Sequence, residues 1–444
     1  MINRMFSAWR RRREARIKPA LSWLEGDENR AEVSVPDDFL CPISLDLMKD
    51  PVIVCSGITY DRESIEKWLE DGHSFCPSTK IELANFDLIP NHTLRKAIQS
   101  WCVDNRSSGV ERIPTPKIPV SSHDVLVINE RLREAGRKND LGNCRILISR
   151  VRNLVKESER NKKCFIENGT GVAVSSCFVL LANGFEENDS VLGEMVSLLP
   201  SLRPLDEETK GLLGSKQSLH CLARFLKGVI GDQGRRNSVL LLKEILPQDP
   251  TRSNELLEIE GSLEGLMHPI LHPISPPATK AALCTIFTIL ASSSKETEIA
   301  SKFGDLGLVP CLIEMLPGSD RSECEKALAV LDRLCGFEEL RERAYEHALA
   351  IPVVVKKMHR VSPMASDLTV SVLWKLCKNE RREEGRALVE ALQHSGFEKL
   401  LLLLQVGCSA KTKEKTTELL KMLNVYRGAH CVDSTGLKIL KPSF

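Results

Sequence analysis

Aromatic side chains are scarce: 13 Phe, 5 Trp and 3 Tyr make up 5% of the 444 residues. That leaves little material for a large sheet and favours Leu-rich helices. Excess charge of either sign is missing too. With 61 Lys and Arg against 60 Asp and Glu, the net charge is +1, so no global field draws the chain to nucleic acid. No apolar run approaches the roughly 18 residues of a membrane span. The N-terminus lacks an apolar signal core, and Ile2 breaks the N-myristoylation pattern. Cysteine is plentiful, at 15, but its paired spacing is absent. Most of the cysteines, such as Cys144, Cys177, Cys284 and Cys377, sit singly inside apolar helical patterns. That usage predicts reduced buried thiols and a cytoplasmic or nuclear setting.

What is present begins with residues 36–102. A module this small usually needs a staple, and a cross-braced zinc site supplies one through Cys-x-x-Cys pairs. Here each pair is halved, because Ser44 stands three residues after Cys41 and Thr79 three after Cys76. A neutral hydroxyl cannot replace thiolate charge at a structural zinc, so neither a metal nor a cofactor is expected. The loops must then be pinned by side-chain hydrogen bonds, salt bridges and a compact core. Asp50, Asp61, Arg62, Ser78, Thr79 and Asn91 are the candidates for that network.

Within the module, residues 52–54 read as a strand, Ser56-Gly57 as a turn and 58–60 as the returning strand. Helix 61–71 places Ile65, Trp68 and Leu69 on one apolar stripe, and a second helix covers about 94–101. Trp is rarely fully buried and is favoured at interface centres, so Trp68 reads either as core or as a partly exposed anchor. Cys41 and Cys76 have no His or other base at a telling spacing and read as small buried thiols. Residues 105–123, with three Pro, four Ser and no periodicity, read as a linker.

The strings CPISLDLMKDPVIV, TYDRESIEKWL, CPST and LIPNHTL, fixed at four separated places, resemble the U-box of ubiquitin ligases. The resemblance implies a small α+β, ring-like fold without zinc and a platform for a ubiquitin-charged conjugating enzyme. In this sequence the docking positions are Ile43, Trp68 and Pro77, with Cys41 beside them. Ubiquitin would pass directly from the conjugating enzyme's thioester to a substrate lysine, with no covalent intermediate on this chain. Lys80, just after the second loop, matches a position whose side chain bridges the conjugating enzyme and ubiquitin. Pairing of two U-boxes into a dimer is also allowed.

From residue 124 the pattern is helical almost without relief, and it repeats. Marker positions 171, 214, 261, 307, 349 and 395 are separated by 43, 47, 46, 42 and 46 residues, within the window of armadillo or HEAT repeats. A second marker keeps step: Leu242/Ile245, Ile286/Ile289, Leu331/Leu334, Leu373/Leu376 and Leu420/Leu423, each inside an amphipathic helix. The small residue at each first marker is expected to form a hinge ahead of the next helix. An opening helical pair is expected at 126–134 and 144–157, and a closing helix at 411–425.

The chain thus divides into a basic tail and linker (1–35), a U-box (36–108), a linker (109–123), a mostly α array of armadillo-like repeats (124–425) and a loosely docked tail (426–444). Residues 1–20, basic with interleaved Met5, Phe6 and Trp9, suit a weak anionic-membrane contact, a nuclear-import patch or a solvated tail. Over about 36–425 the arrangement is similar to the plant U-box ligases, which implies that the third helices of the repeats recruit a protein substrate. Lys375, Arg381, Arg382 and Glu383 lie near one such helix and read first as a solvated face. One rival reading is an armadillo scaffold whose U-box is only structural. Another, a zinc-dependent ring ligase, is disfavoured by Ser44 and Thr79.

Overall fold

A computed structural model describes residues 35–430 apart from 107–109, 112, 114–118, 183–185, 293–294 and 381–384. The expectations for residues 1–20, for the tail beyond 430 and for Arg381, Arg382 and Glu383 lie outside the described residues. Two units are present, Met1–Ile118 and Pro119–Phe444.

In the first unit, β1 (Pro51–Ile53) pairs antiparallel with β2 (Thr59–Asp61), Val52 facing Tyr60. Gly57, at φ 79°, supplies the left-handed residue that the intervening turn needs. Helix α1 (Arg62–Glu70) follows β2 directly and buries Ile65. A strand not expected from the sequence, β3 (Ile89–Pro90), covers the other edge of β1. Helix α2 (His92–Asp104) is capped by Asn91, whose side chain accepts from Leu94 N, and it buries Ile98 and Cys102. The core they close contains Cys41, Met48, Val52, Val54, Tyr60, Cys76 and Leu83. Val110 and Ile113 pack on the same core, with Ile113 only 5% exposed. Both come from the stretch read as a linker and add to the core of the first unit.

The second unit opens with α3 (Ser122–Arg137), started by a Ser121/Asp124 capping box, and α4 (Leu141–Glu157). Triplets of helices follow. The first is α5 (Glu159–Glu167), α6 (Thr170–Ala182) and α7 (Asp189–Leu198), and the second is α8 (Glu207–Leu213), α9 (Lys216–Lys227) and α10 (Gly231–Ile245). The third comprises α11 (Pro250–Leu257), α12 (Ser262–Leu271) and α13 (Pro276–Ser292). The fourth is α14 (Glu296–Asp305), α15 (Leu308–Met315) and α16 (Arg321–Leu334). The fifth is α17 (Glu338–Glu346), α18 (Ala350–Lys357) and α19 (Pro363–Lys378), and α20 (Arg386–Gln393), α21 (Gly396–Val406) and α22 (Ala410–His430) complete the described residues.

Each third helix packs on the next, from α4 through α7, α10, α13, α16 and α19 to α22. The expected pairs Leu242/Ile245, Ile286/Ile289, Leu331/Leu334 and Leu373/Leu376 are all buried in that stack. At its end Leu419 and Leu423 are buried and Leu420 is half-buried, because no described helix packs beyond α22.

Cations tie consecutive repeats. Arg333 donates to Leu290 O at 3.3 Å, Arg343 to Gly304 O at 2.6 Å and Lys399 to Val355 O at 2.7 Å. Each accepting carbonyl lies in the last turn of its helix, where no partner exists within the helix and the macrodipole favours positive charge.

The hinge expectation holds in part. Gly261, Gly307 and Ser395 adopt φ of 75°, 80° and 62° ahead of α12, α15 and α21. The first two markers are misplaced. Gly171 lies inside α6, where a Cβ would come within 2.8 Å of Thr209 Oγ1, and the left-handed residue is Gly169. Gly214 has φ −83°, and Ser215 behind it starts α9 by accepting from Ser218 N. Leu349, at φ −90°, is not left-handed.

Replacing Leu331 by Ala, 1% exposed inside this stack, should lower the stability of the second unit by about 2–5 kcal/mol. Chemical denaturation followed by circular dichroism measures the loss.

Candidate functional site

The two cysteine loops of the first unit are built alike. Cys41 N donates to Asp46 O at 2.9 Å and Leu45 N returns to Cys41 O at 2.8 Å. In the second loop Cys76 N donates to Ile81 O at 2.8 Å and Lys80 N to Cys76 O at 2.9 Å. A backbone bridge brackets each loop, Leu40 to Leu47 and Phe75 to Glu82. Leu45 and Lys80, the equivalent residues, both adopt left-handed φ, 62° and 61°. Such backbone is unusual for non-glycine residues and marks the two positions as fixed by their loops.

Hydrogen bonds engage both sulfurs. Cys41 Sγ accepts from Asp61 N at 3.3 Å, and Cys76 Sγ lies 3.1 Å from both Ser56 Oγ and Tyr60 OH. The hydroxyl of the fully buried Tyr60 joins the second loop to the sheet, donating to Ser78 Oγ at 2.8 Å and accepting from Ser78 N at 3.1 Å. Burial pushes Tyr60 up to about 12, and the bond to Cys76 adds to the shift. For Cys76 burial raises the thiol, but the hydroxyls of Ser56, Thr79 and Tyr60 outweigh it and bring it down to about 6. Ser44 and Thr79, standing where paired zinc ligands would stand, close their own loops. Ser44 Oγ accepts from Asp46 N at 3.3 Å and Thr79 Oγ1 from Ile81 N at 3.5 Å. Among the described residues no group of three or more His, Cys, Asp and Glu is placed to hold a metal ion.

The remaining network candidates brace the first loop against the helices. Asp50 accepts from Arg62 Nε at 2.6 Å and from Arg95 Nη1 at 3.3 Å, all three side chains being mostly buried. The Asp61 carboxylate accepts from Lys49 N at 2.8 Å and Asp50 N at 2.9 Å. Burial raises its pKa, and these two donors oppose that rise. Asn91 also reaches Thr59 Oγ1 at 3.3 Å. Tyr60, Ser56 and Arg95 were not expected as members of this network.

Of the surface candidates, Ile43, Trp68 and Pro77 are half-buried and Lys80 is exposed. Trp68 is held in one orientation. Its Nε1 donates to Phe75 O at 2.9 Å, and its ring stacks on His73 at 3.9 Å between centroids and meets Phe75 edge-on at 5.4 Å. Lys80 Nζ lies 5.8 Å from the Trp68 ring centroid and 5.5 Å from that of Phe75, a cation–π tether that leaves the ammonium at the surface. Cys41, expected beside the docking residues, is corrected. Its side chain is fully buried and supports the loop that carries Ile43. His73 and Phe75 were missed, although they lie five and seven residues after Trp68 and immediately before the second loop.

Removing the Tyr60 hydroxyl takes a partner from the buried Cys76 thiol and unties Ser78 from the sheet, so Tyr60→Phe should cost the first unit about 1–3 kcal/mol in denaturant unfolding. The Cys76 shift has a sign that pH can test. The thiol loses its proton near 6 in the folded chain and near 9.0 in the unfolded one. Between those values the unfolded chain binds the extra proton, so stability rises as pH climbs from about 6 to 9, and the gain is lost as pH falls through 6. Melting curves across this window should show that slope, and Cys76→Ala should flatten it.

A profile of the U-box domain matches residues 35–107, and one of the plant U-box protein ARM repeat region matches 124–441. U-box domain-containing protein 21 of Arabidopsis thaliana is 42% identical over 429 residues, covering 96% of this chain and 97% of that protein. E3 ubiquitin-protein ligase PUB23 of the same plant is 38% identical over 411 residues, covering 90% and 96%. A solved designed armadillo repeat protein, 18% identical, covers 56% of this chain and 98% of its own with a TM-score of 0.45. In sequence over nearly its whole length, and in the order of its two units, the chain belongs to the plant U-box proteins with an armadillo repeat region.

Proposed function

We propose that this chain, an E3 ubiquitin transferase of the U-box type, docks a ubiquitin-charged conjugating enzyme on the surface carrying Ile43, Trp68 and Pro77 while its repeats recruit the protein substrate. Relatives 38% and 32% identical to it bear the name E3 ubiquitin-protein ligase. The observation that carries the docking reading is Trp68: a large side chain kept half-exposed and locked by Phe75 and His73 presents apolar area without the entropy cost of ordering it on binding.

The chemistry asks little of the chain itself. A substrate lysine attacks the thioester carbonyl, the C–S bond breaks and the thiolate leaves on the conjugating enzyme. Cys41 and Cys76, buried and engaged by hydrogen bonds, are not carriers. The contribution of the U-box is orientation, holding the thioester where the amine reaches it. Lys80 suits the bridging role, because its ammonium rests on the Trp68 and Phe75 rings beside the docking surface and has no acidic partner among the described residues. Lys375 does not suit substrate contact, being half-buried and paired with Asp332 at 2.9 Å.

An anchor of this kind is worth about 2 kcal/mol or more, so Trp68→Ala should weaken conjugating-enzyme binding roughly thirtyfold and abolish autoubiquitination while the fold stays intact. Lys80→Ala should slow ubiquitin discharge and leave that binding nearly unchanged. Undiminished autoubiquitination in both variants, across a panel of conjugating enzymes, would place docking elsewhere. A wild-type chain inactive with the whole panel would favour the scaffold reading.

A further inference from the structure

The second unit contains a cleft of about 700 Å³ that crosses three successive repeats. Its walls come from the α15–α16 turn and the first residue of α16, from α18 with the turn behind it, and from the α20–α21 turn and α21. Six lining side chains are basic, namely Arg321, Lys356, Lys357, Arg360, His394 and Lys399, and none is acidic.

Most of that charge is not neutralised internally. Arg321 pairs with Glu325 of its own helix at 3.2 Å, and Lys357 and Lys399 reach only the backbone carbonyls of Pro317 and Val355. Lys356, Arg360 and His394 have no ion pair or side-chain hydrogen bond among the described residues. Crowding like charges disfavours the folded chain. Burial, followed by the charges of Arg360 and Lys356, holds the Lys399 ammonium below its ordinary value. The turn that positions Arg360 is itself built. His359 adopts φ 64°, and its Nε2 donates to Lys399 O at 2.8 Å across the repeat boundary. Apolar surface lies among the cations, with Leu349 47% exposed and Pro352 beside it.

We propose that this cleft docks an extended segment of a partner protein centred on a phosphoserine or phosphothreonine with an apolar neighbour. A phosphate monoester brings close to two negative charges and three acceptor oxygens, which matches a cluster of unpaired donors better than a single carboxylate does. Free inorganic or inositol phosphate would satisfy the cations but leave Leu349 and Pro352 uncovered. Crossing two inter-repeat steps of about 10 Å takes roughly six extended residues, so the ligand is a stretch of chain. The site is also distinct from the stacked third helices, which contribute only Arg321. It rests on the reading that the repeats bind partner proteins, but it makes no use of the U-box.

Fluorescence polarisation on the full chain tests it, with a labelled nine-residue peptide pool carrying a fixed central phosphoserine between degenerate flanks free of Lys and Arg. The same pool with unmodified serine and inositol hexakisphosphate are the comparison ligands. Saturable binding of the phosphorylated pool is expected, at least tenfold tighter than the unmodified pool. The paired change Lys356→Glu with Arg360→Glu, both at exposed positions, should weaken it at least tenfold without altering the melting curve, and Leu349→Glu should weaken it separately. Equal binding of the two pools, unchanged binding by the paired variant, no binding of either pool, or binding of inositol hexakisphosphate alone would each overturn the proposal. Because binding is read directly, such a failure leaves ubiquitin transfer untouched, and an inactive Trp68→Ala chain should still bind the phosphorylated pool.

Discussion

One buried hydroxyl carries the architecture of the first unit. Tyr60 OH binds Ser78 through both its Oγ and its N–H and touches Cys76 Sγ, so it fastens the second loop to the central strand pair. Asp61, the next residue, performs the matching task for the first loop. Its N–H meets Cys41 Sγ and its carboxylate gathers the N–H groups of Lys49 and Asp50. Two adjacent residues of one strand thereby hold both loops. Hydrogen bonds of this kind contribute modestly when made and cost heavily when one partner is lost in the interior, so the loops have one shape or none. Ile43, Pro77 and Lys80 all lie within four residues of a loop cysteine, and their placement depends on that fastening.

The two units meet the cost of order in different ways. The first has few buried side chains among its described residues and relies on directional polar contacts, with the mostly buried Asp50 shared between Arg62 and Arg95. The second repeats a single packing solution. Apolar pairs on each third helix fill the space against the next, and an Arg or Lys from the following repeat satisfies the last carbonyls of the preceding helix. Repetition makes charge placement conspicuous. Where Lys375 and Lys415 reach across to Asp332 and Ser371 the cations are used structurally, whereas Lys356 and Arg360 have no such partner among the described residues.

Much of this was legible in the residues. Period and apolar register survive translation along an array, so four of the five Leu/Ile pairs fall in the buried stack, and only the terminal pair departs from it. Missing second ligands at Ser44 and Thr79 pointed to a polar network, and Asp50, Asp61, Arg62 and Asn91 belong to it. Tyr60 escaped notice because a strand tyrosine looks like ordinary core until the loop that meets its hydroxyl is known. Arg95 lies 45 residues from Asp50, a separation that no local pattern reports. Val110 and Ile113 were hidden by Pro- and Ser-rich neighbours, and Gly171 by a packing demand that looks, in sequence, like a turn. The likeness of the two cysteine loops could have been found, since Cys-Pro recurs at 41–42 and 76–77, but its meaning lies in backbone bonds that sequence does not display.

The central claim is that hydrogen bonds, not a metal, hold the two loops in the shape that presents Trp68 and its neighbours. Amide hydrogen exchange at Cys41, Leu45, Cys76 and Lys80, measured on the full chain with and without a strong zinc chelator, tests it most directly. The account predicts strong protection at all four amides, unchanged by the chelator and lost at Cys76 and Lys80 when Tyr60 is replaced by Phe. Protection that collapses on chelation, with release of stoichiometric zinc, would contradict it.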